Sequence, residues 1–241
     1  MYVVDEVRDG NRIMDRRFRL TEEEELEFQE FIKSDQFAEA LAISWRYGCK
    51  RATYFSIRNK RKDVPIRFCE LIVGSNSVSH FSRKKEDKID FWHTLINLRH
   101  PFYKMILEMG WTSIQEKNRI FPQGEFNEKV FVSTYIKLSH DLMVLTEKRK
   151  NRSYIRPRLR IHGSEDVLSN INRILYQELG VGVKKLQTDH KIPQAKVISF
   201  QSKKEIPCIL EFAGAMESLD KFHSLRLGYI DNLKTGEKLE F

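Results

Sequence analysis

Apolar residues recur at helical spacing near the start of the chain and predict two helices. Thr21 and Glu24 match a capping box, in which the hydroxyl and the carboxylate each bind a backbone N–H at a helix start. A second helix is predicted to begin after Ser34 and to end at Tyr47. Gly48 follows it and permits a tight turn.

The middle of the chain mixes charged stretches with short apolar runs. Residues 59–64 are charged and predict a linker, whereas the apolar run at 66–73 predicts a strand. Asp90 is suited to cap a helix over about residues 90–96, and Pro101 is suited to open another helix. A further helix is predicted at 128–139.

The last third of the chain carries the clearest pattern. Residues 155–161 alternate strictly between apolar and arginine positions, except at Pro157, which favours a sheet edge. The alternation predicts a strand with three arginines on one face. The elements predicted after it are a helix from Ser164 to Gly180, strands at 183–188, at 195–201 and around 209–212, and a closing helix near 215–226. This mixture of elements indicates the α+β class.

The amino-acid composition indicates which kind of molecule the protein binds. Lys and Arg outnumber Asp and Glu by 42 to 34, which gives a formal net charge of +8. Such a surplus favours a polyanionic partner, because basic patches gain free energy by releasing counterions from phosphates. Apolar residues make up 41% of the chain, so disorder of the whole chain is excluded.

The sequence lacks the motifs of several kinds of functional site. The three cysteines, at positions 49, 69 and 208, form no CxxC pair, and the histidines show no metal-ligand spacing. No phosphate-cradling glycine motif is present, so no cofactor is expected. No stretch approaches the ~20 apolar residues that a membrane-spanning helix needs. We therefore expect a cytoplasmic protein with no membrane partner.

The stretch SWRYGCKRATYFSIRNK has a small residue at Ser44 and a glycine at the turn position, Gly48. It resembles the helix-turn-helix of many bacterial regulators and site-specific recombinases, in which the residues after the turn enter the major groove. A helix followed by the strand ATYFSIRN is the alternative interpretation. The resemblance implies DNA contacts from Lys50, Arg51, Thr53, Ser56, Arg58 and Lys60.

Residues 126–227 resemble one repeat of the LAGLIDADG homing endonucleases. The segments that carry the resemblance are the helix FVSTYIKLSH, the strand IRPRLRIHGS, the helix SEDVLSNINRILYQELGV and the closing segment AMESLDKFHSLRLGY. The resemblance implies an αββαββα unit whose curved sheet lies over the major groove. We therefore expect two regions: an N-terminal helical region with the helix-turn-helix at 1–62, and the LAGLIDADG-like α+β domain at 63–241.

Basic residues of the predicted sheet are the remaining candidates for DNA contacts. A row of arginines on one strand face is suited to follow phosphates or to reach base edges. A solvated basic edge strand is the alternative. The row consists of Arg156, Arg158 and Arg160, and the segment before it adds Lys148, Arg149, Lys150 and Arg152.

The resemblance does not extend to the cutting site. In that family an acidic residue at the end of each motif helix, next to a glycine, holds the metal ions. The alignment places Ser139 at the acidic position and His140 at the glycine; Asp141 would serve only if the register slipped. Residues 40–48 are an alternative second motif helix with Tyr47 at the acidic position. We prefer the helix-turn-helix there, because no further helix and strand pair is predicted before residue 90.

The sequence thus predicts a sequence-specific double-stranded-DNA-binding protein that does not cut, either a transcription regulator or a site-binding factor of a mobile element. Its single recognisable repeat suggests a homodimer on a pseudo-palindromic site. An active Mg²⁺-dependent endonuclease is the competing class. A module that binds an acidic protein partner is a third.

Overall fold

The structure, a computed structural model, describes residues 10–74, 76–83, 89–113, 119–149, 152–188 and 195–231. Two short helices lead into the fold: α1 (Gly10–Ile13) and α2 (Glu22–Phe31). Both halves of the Thr21–Glu24 capping box are formed at the start of α2, as predicted. No helix among the described residues is long and apolar enough to cross a bilayer.

One order of elements then occurs twice. The first repeat consists of α3 (Asp35–Tyr47), β1 (Gly48–Lys50), β2 (Tyr54–Asn59), α4 (Asp63–Leu71), β3 (Asn76–Arg83), β4 (Ile89–Asn97) and α5 (Pro101–Glu108). The second consists of α6 (Glu128–Ser139), β5 (His140–Arg149), β6 (Arg152–Gly163), α7 (Glu165–Leu179), β7 (Gln187–Thr188), β8 (Lys196–Phe200), α8 (Glu205–Phe212) and α9 (Met216–Ser224). A last strand, β9 (Gly228–Asp231), pairs with β6.

The two sheets have matching topologies. The first sheet has the order β1-β2-β4-β3, and the second has the order β5-β6-β8-β7 with β9 added beside β6. All the strand pairs described are antiparallel. The chain therefore contains two αββαββα units, whereas the sequence suggested one.

The helices α3 and α6 pack against each other at the centre of the molecule. Ala38, Ala40 and Ala42 of α3 are fully buried, and such small side chains allow a close approach of neighbouring elements. Trp45 meets Phe131 of α6 edge-to-face, with ring centroids 6.1 Å apart. The contact joins the two repeats through one continuous hydrophobic core.

The N-terminal helical region is present, but the predicted helix-turn-helix is wrong. After Gly48 the chain forms the hairpin β1–β2, with Lys50 opposite Phe55. Phe55 and Ile57 are fully buried on the side that carries the helices, at the two-residue period of a strand. The alternative interpretation, a helix followed by a strand, is confirmed. Residues 40–48 thus belong to the central helix pair.

Three other element predictions are wrong. The apolar run at 66–73 lies mostly in α4, whose buried positions 64, 68 and 71 have helical spacing. The helix predicted at 90–96 is the strand β4, and the strand predicted at 209–212 is part of α8. The boundary expected between residues 62 and 63 falls inside the first repeat, because β2 before it pairs with β4 after it.

Candidate nucleic-acid interface

The second sheet has one face against the helices and one open face. Leu159 and Ile161 of β6 are fully buried on the helix side. Arg156, Arg158 and Arg160 alternate with them and share the open face, as the sequence pattern predicted. We call these three side chains the arginine row.

Neighbouring side chains orient the arginine row. Arg158 Nε donates a hydrogen bond of 2.9 Å to Ser199 Oγ. Arg160 forms an ion pair of 2.9 Å with Asp141, its cross-strand neighbour on β5. Arg156 forms an ion pair with Glu147, which also lies on β5.

These ion pairs are partly open to solvent. The side chain of Arg160 is 27% exposed and that of Arg156 is 35% exposed. Exposed ion pairs contribute little stability, typically below about 1 kcal/mol. A polyanion is therefore able to replace the carboxylates at small cost, while the strand keeps the guanidinium groups in place.

The other predicted residues of this patch lie at the far end of the same hairpin. Lys148 and Arg152 are exposed. The backbone of Arg149 lies opposite Arg152 in the β5–β6 register. Lys150 lies outside the described residues. The structure therefore brings Lys148 and Arg152 onto the same hairpin as the arginine row.

The residues predicted from the helix-turn-helix lie on and around the β1–β2 hairpin. Lys50, Arg51 and Thr53 are exposed near its turn, and Lys60 is exposed after β2. Ser56 is different, because it is fully buried and its hydroxyl donates a hydrogen bond of 3.3 Å to the Cys49 carbonyl. Four of these predicted DNA-contact residues are therefore accessible from solvent, whereas Ser56 is not.

Arg58, the last of these predicted residues, lies on the open face of the first sheet. Its guanidinium carbon is 5.2 Å from the ring centroid of Phe91. Phe91 also stacks with Phe81 across β3 and β4, with ring centroids 5.1 Å apart. His93 contacts Ser79 on this face, and burial, followed by the charge of Arg58, lowers its pKa. The sequence reasoning missed this face, since it predicted a helix at residues 91–96.

The ends of the two central helices carry hydroxyl groups at the two positions that the resemblance to the LAGLIDADG motif predicts to be acidic. The phenol of Tyr47, at the end of α3, donates a hydrogen bond of 2.9 Å to the carbonyl of Leu138. Ser139, at the end of α6, is buried and donates a hydrogen bond of 2.6 Å to the carbonyl of Tyr135. Both hydroxyls are thus occupied by backbone carbonyls.

The residue that follows each helix is also held by packing or hydrogen bonding. A Cβ at Gly48 would lie 2.4 Å from the carbonyl oxygen of Ser44, so no side chain fits there. His140, which follows α6 as Gly48 follows α3, has Nδ1 2.9 Å from the carbonyl of Ile136 and Nε2 2.7 Å from Ser218 Oγ. The second repeat therefore has an imidazole ring at the position where the first repeat has space only for a glycine.

These residues do not fit a magnesium ion. Magnesium sites in proteins usually include one or two carboxylates, and both hydroxyls are neutral. Asp141, the nearest carboxylate in sequence to Ser139, is paired with Arg160 on the sheet. Within the described part of the chain, no three His, Cys, Asp or Glu side chains are grouped closely enough to hold a metal.

Comparisons with known proteins agree on the fold. No protein-family model matches the sequence. No curated protein matches it either. The structure aligns over 78% of this chain and 89% of a mutant of I-SmaMI, with 10% identity and a TM-score of 0.53. It aligns over 79% of this chain and 89% of the I-LtrWI LAGLIDADG homing endonuclease bound to target DNA, with 11% identity and a TM-score of 0.52.

A further solved structure is the full-length DUF199/WhiA protein from Thermatoga maritima. The alignment covers 83% of this chain and 65% of that protein, with 15% identity and a TM-score of 0.47. The likeness to I-SmaMI and I-LtrWI shows that this chain has the α+β fold of the LAGLIDADG homing endonucleases. The resemblance expected from residues 126–227 is thereby confirmed at the level of the fold.

Proposed function

We propose that this chain is a sequence-specific double-stranded-DNA-binding protein that occupies its site without cutting it. The observation that carries the proposal is the arginine row on an open sheet face. I-LtrWI, which shares the fold, is bound to its target DNA in its solved structure. The basic surplus of the whole chain, +8, is consistent with a polyanionic partner.

The arginine row supplies both affinity and choice of site in this proposal. A guanidinium binds a phosphate, or the O6 and N7 atoms of guanine, through two parallel hydrogen bonds. Asp141 and Glu147 hold two of the guanidinium groups in the absence of DNA and are replaced by nucleic-acid oxygens on binding. Lys148 and Arg152, further along the hairpin, add phosphate contacts that carry no sequence information.

The absence of cutting is proposed from the ends of the central helices. Tyr47 and Ser139 stand at the two positions that the resemblance predicts to be acidic, and each hydroxyl donates a hydrogen bond to a backbone carbonyl. If the carboxylates had been replaced by small side chains without hydrogen-bond partners, a metal ion held by other nearby ligands would still fit there. Here both hydroxyls are instead hydrogen-bonded to backbone carbonyls, that of Tyr47 across the helix pair and that of Ser139 within its own helix.

One chain supplies two repeats, so a single copy offers two open sheet faces to one duplex. The homodimer suggested by the sequence was argued from a single repeat, and DNA binding by this fold does not require it. Occupancy of a defined site is the mechanism of a transcription regulator or of a site-binding factor of a mobile element. Both roles are part of the proposal.

The test is selection from a randomised duplex-DNA library in the presence of magnesium, with intact retained duplexes separated from cut ones. We expect an intact site to be enriched. Cut ends at a defined site would contradict the proposal, and Asp141→Asn would then show whether that carboxylate does the cutting. Failure to enrich any duplex would refute DNA binding itself.

A further inference from the structure

The open faces of the two sheets differ in chemistry. The open face of the second sheet carries the arginine row, with the paired rings of Tyr154 and Tyr229 beside Arg156. On the first sheet, the strand registers place Ser77, Ser79 and Phe81 of β3 beside Leu95, His93 and Phe91 of β4. Ser56 and Arg58 of β2 pair with Leu95 and His93. Of the described side chains on this face, Arg58 alone carries a guanidinium group.

Phe81 and Phe91 of the first sheet lie on the side away from the core. Ile96 and Phe55, which alternate with them, are fully buried on the helix side. Phe81 is 43% exposed, although it is large and apolar. Its stacking on Phe91 joins both rings into one apolar surface near the end of the β3–β4 hairpin. An exposed surface of two stacked apolar rings is a candidate binding region.

The repeat indicates which partner covers this surface. The two sheets have the same strand order and are joined through the α3–α6 contact. A duplex that lies along the open face of one sheet therefore continues along the equivalent face of the other. The occupant of the first sheet is thus the other half of the same DNA site, given the proposed function.

We propose that the first sheet reads thymine-containing base pairs through apolar contacts of Phe81 and Phe91 with the thymine methyl groups. The second sheet reads guanine through the arginine row. This inference rests on the proposed function and specifies the site that it recognises. Each base pair presents a distinct pattern in the major groove, where thymine shows its C5 methyl and guanine shows two acceptors.

The energetics favour this division of the site. An apolar ring gains free energy by covering a methyl group, whereas it leaves the acceptors of guanine without hydrogen bonds. A guanidinium satisfies those acceptors and gains nothing from the methyl group. The two faces therefore prefer different base pairs, and the preferred site is asymmetric.

The experiment replaces thymine by deoxyuridine in the enriched duplex, one half-site at a time, which removes only the methyl groups. The half-site read by the second sheet is first identified as the one whose base preference relaxes in Arg158→Ala. We expect deoxyuridine in the other half-site to weaken binding about fourfold for each methyl group contacted. Deoxyuridine in the half-site of the arginine row should have a smaller effect.

Phe91→Ala is the test variant and Leu145→Ala is its matched control. Leu145 lies opposite Arg156 and so shares the open face of the second sheet. Because Phe81 remains, Phe91→Ala is expected to reduce the discrimination between the thymine and deoxyuridine duplexes, whereas Leu145→Ala keeps the full discrimination in the half-site of the first sheet. Both side chains lie away from the helices, so thermal unfolding should confirm that both variants fold.

Two results would overturn the inference while the proposed function stands. One is an enriched site in which deoxyuridine has no effect in either half. The other is a Phe91→Ala variant that still discriminates thymine from deoxyuridine as the unaltered chain does, which would show that Phe91 does not read the methyl groups. If no duplex is enriched at all, the proposed function itself has failed.

Discussion

The phenol of Tyr47 donates a hydrogen bond of 2.9 Å to the backbone carbonyl of Leu138. The two residues lie at the carboxyl ends of α3 and α6, where a helix leaves its last carbonyls without partners inside the helix. The phenol satisfies one of these carbonyls from the neighbouring helix. Tyr47 therefore stabilises the junction of the two repeats.

Tyr47→Phe removes this hydrogen bond and leaves the ring in place. We expect the free energy of unfolding to fall by about 1 kcal/mol, as is typical when one hydrogen bond is lost. Urea unfolding measures the change. Tyr176→Phe is the matched control, because Tyr176 is 59% exposed, and it should leave stability unaltered. Equal stability of the two variants would show that the Tyr47 hydroxyl does not bridge the helices.

The sequence predicted the second repeat better than the first, and the reason is visible in β6. Its buried residues are apolar and its open-face residues are mostly arginines, so the two-residue period is plain. In β4 both faces carry apolar side chains: Ile96 points to the core, while Phe91 and Leu95 lie on the open face. A strand that is apolar on both sides has no visible alternation, so its sequence pattern predicts a helix instead.

The same reasoning explains the helix-turn-helix error. Gly48 was interpreted as the turn of that motif, since a glycine suits a tight turn. In the structure the φ angle of Gly48 is −63°, which other residues also adopt. Glycine is instead required at this position because there is no space for a side chain. The carbonyl of Ser44 and the ring of Phe55 approach the backbone too closely for a side chain. Sequence alone does not show which neighbour comes near, so it favoured the helix-turn-helix over a second motif helix at residues 40–48.

Gly48→Ala tests this requirement for space. The added Cβ would lie 2.4 Å from Ser44 O and 2.7 Å from Phe55 Cζ, so the hairpin must shift. We expect a loss of about 1–3 kcal/mol in the free energy of unfolding, the range typical of overpacking. Gly182→Ala is the control, because its added Cβ meets nothing closer than 3.6 Å. A Gly48→Ala variant as stable as Gly182→Ala would contradict the close approach.

The buried ring of His100 predicts how stability depends on pH. Its Nδ1 accepts a hydrogen bond of 3.1 Å from the backbone N–H of Phe102, and its Nε2 lies 2.6 Å from the carbonyl of Val73. The network assigns the proton to Nε2, so a second proton at Nδ1 would face another donor. Burial is the main cause that lowers the pKa of His100 from 6.5 to about 4.

The unfolded chain therefore binds a proton at higher pH than the folded chain does. The contribution of His100 is fully present above pH 6.5 and is lost as the pH falls towards about 4, a change of about 3 kcal/mol. Urea unfolding at pH 7, 6 and 5 measures the loss. Because the pKa of His93 is also lowered, proton NMR must separate the two rings. A His100 resonance that titrates near pH 6.5 would refute the prediction.

Arg158 is the member of the arginine row whose contribution to DNA binding is most readily measured. Its partner is the neutral hydroxyl of Ser199, so Arg158→Ala leaves no carboxylate without its counter-charge. If Arg158 contacts a phosphate, the slope of log affinity against log salt concentration falls by about 1 for every sequence. If it contacts guanine, base preference relaxes at one position. Arg173→Ala, on the exposed side of α7, is the control and should change neither quantity.

Arg158→Lys separates the two contacts. A lysine keeps the charge that a phosphate contact needs, but it lacks the planar pair of donors that binds guanine O6 and N7 together. We expect Arg158→Lys to retain affinity for arbitrary duplexes and to lose about five- to tenfold in affinity for the selected site. Equal losses on both kinds of DNA would show that the arginine row follows the backbone only. Sequence choice would then have to come from other residues of the two open faces or from the shape of the duplex.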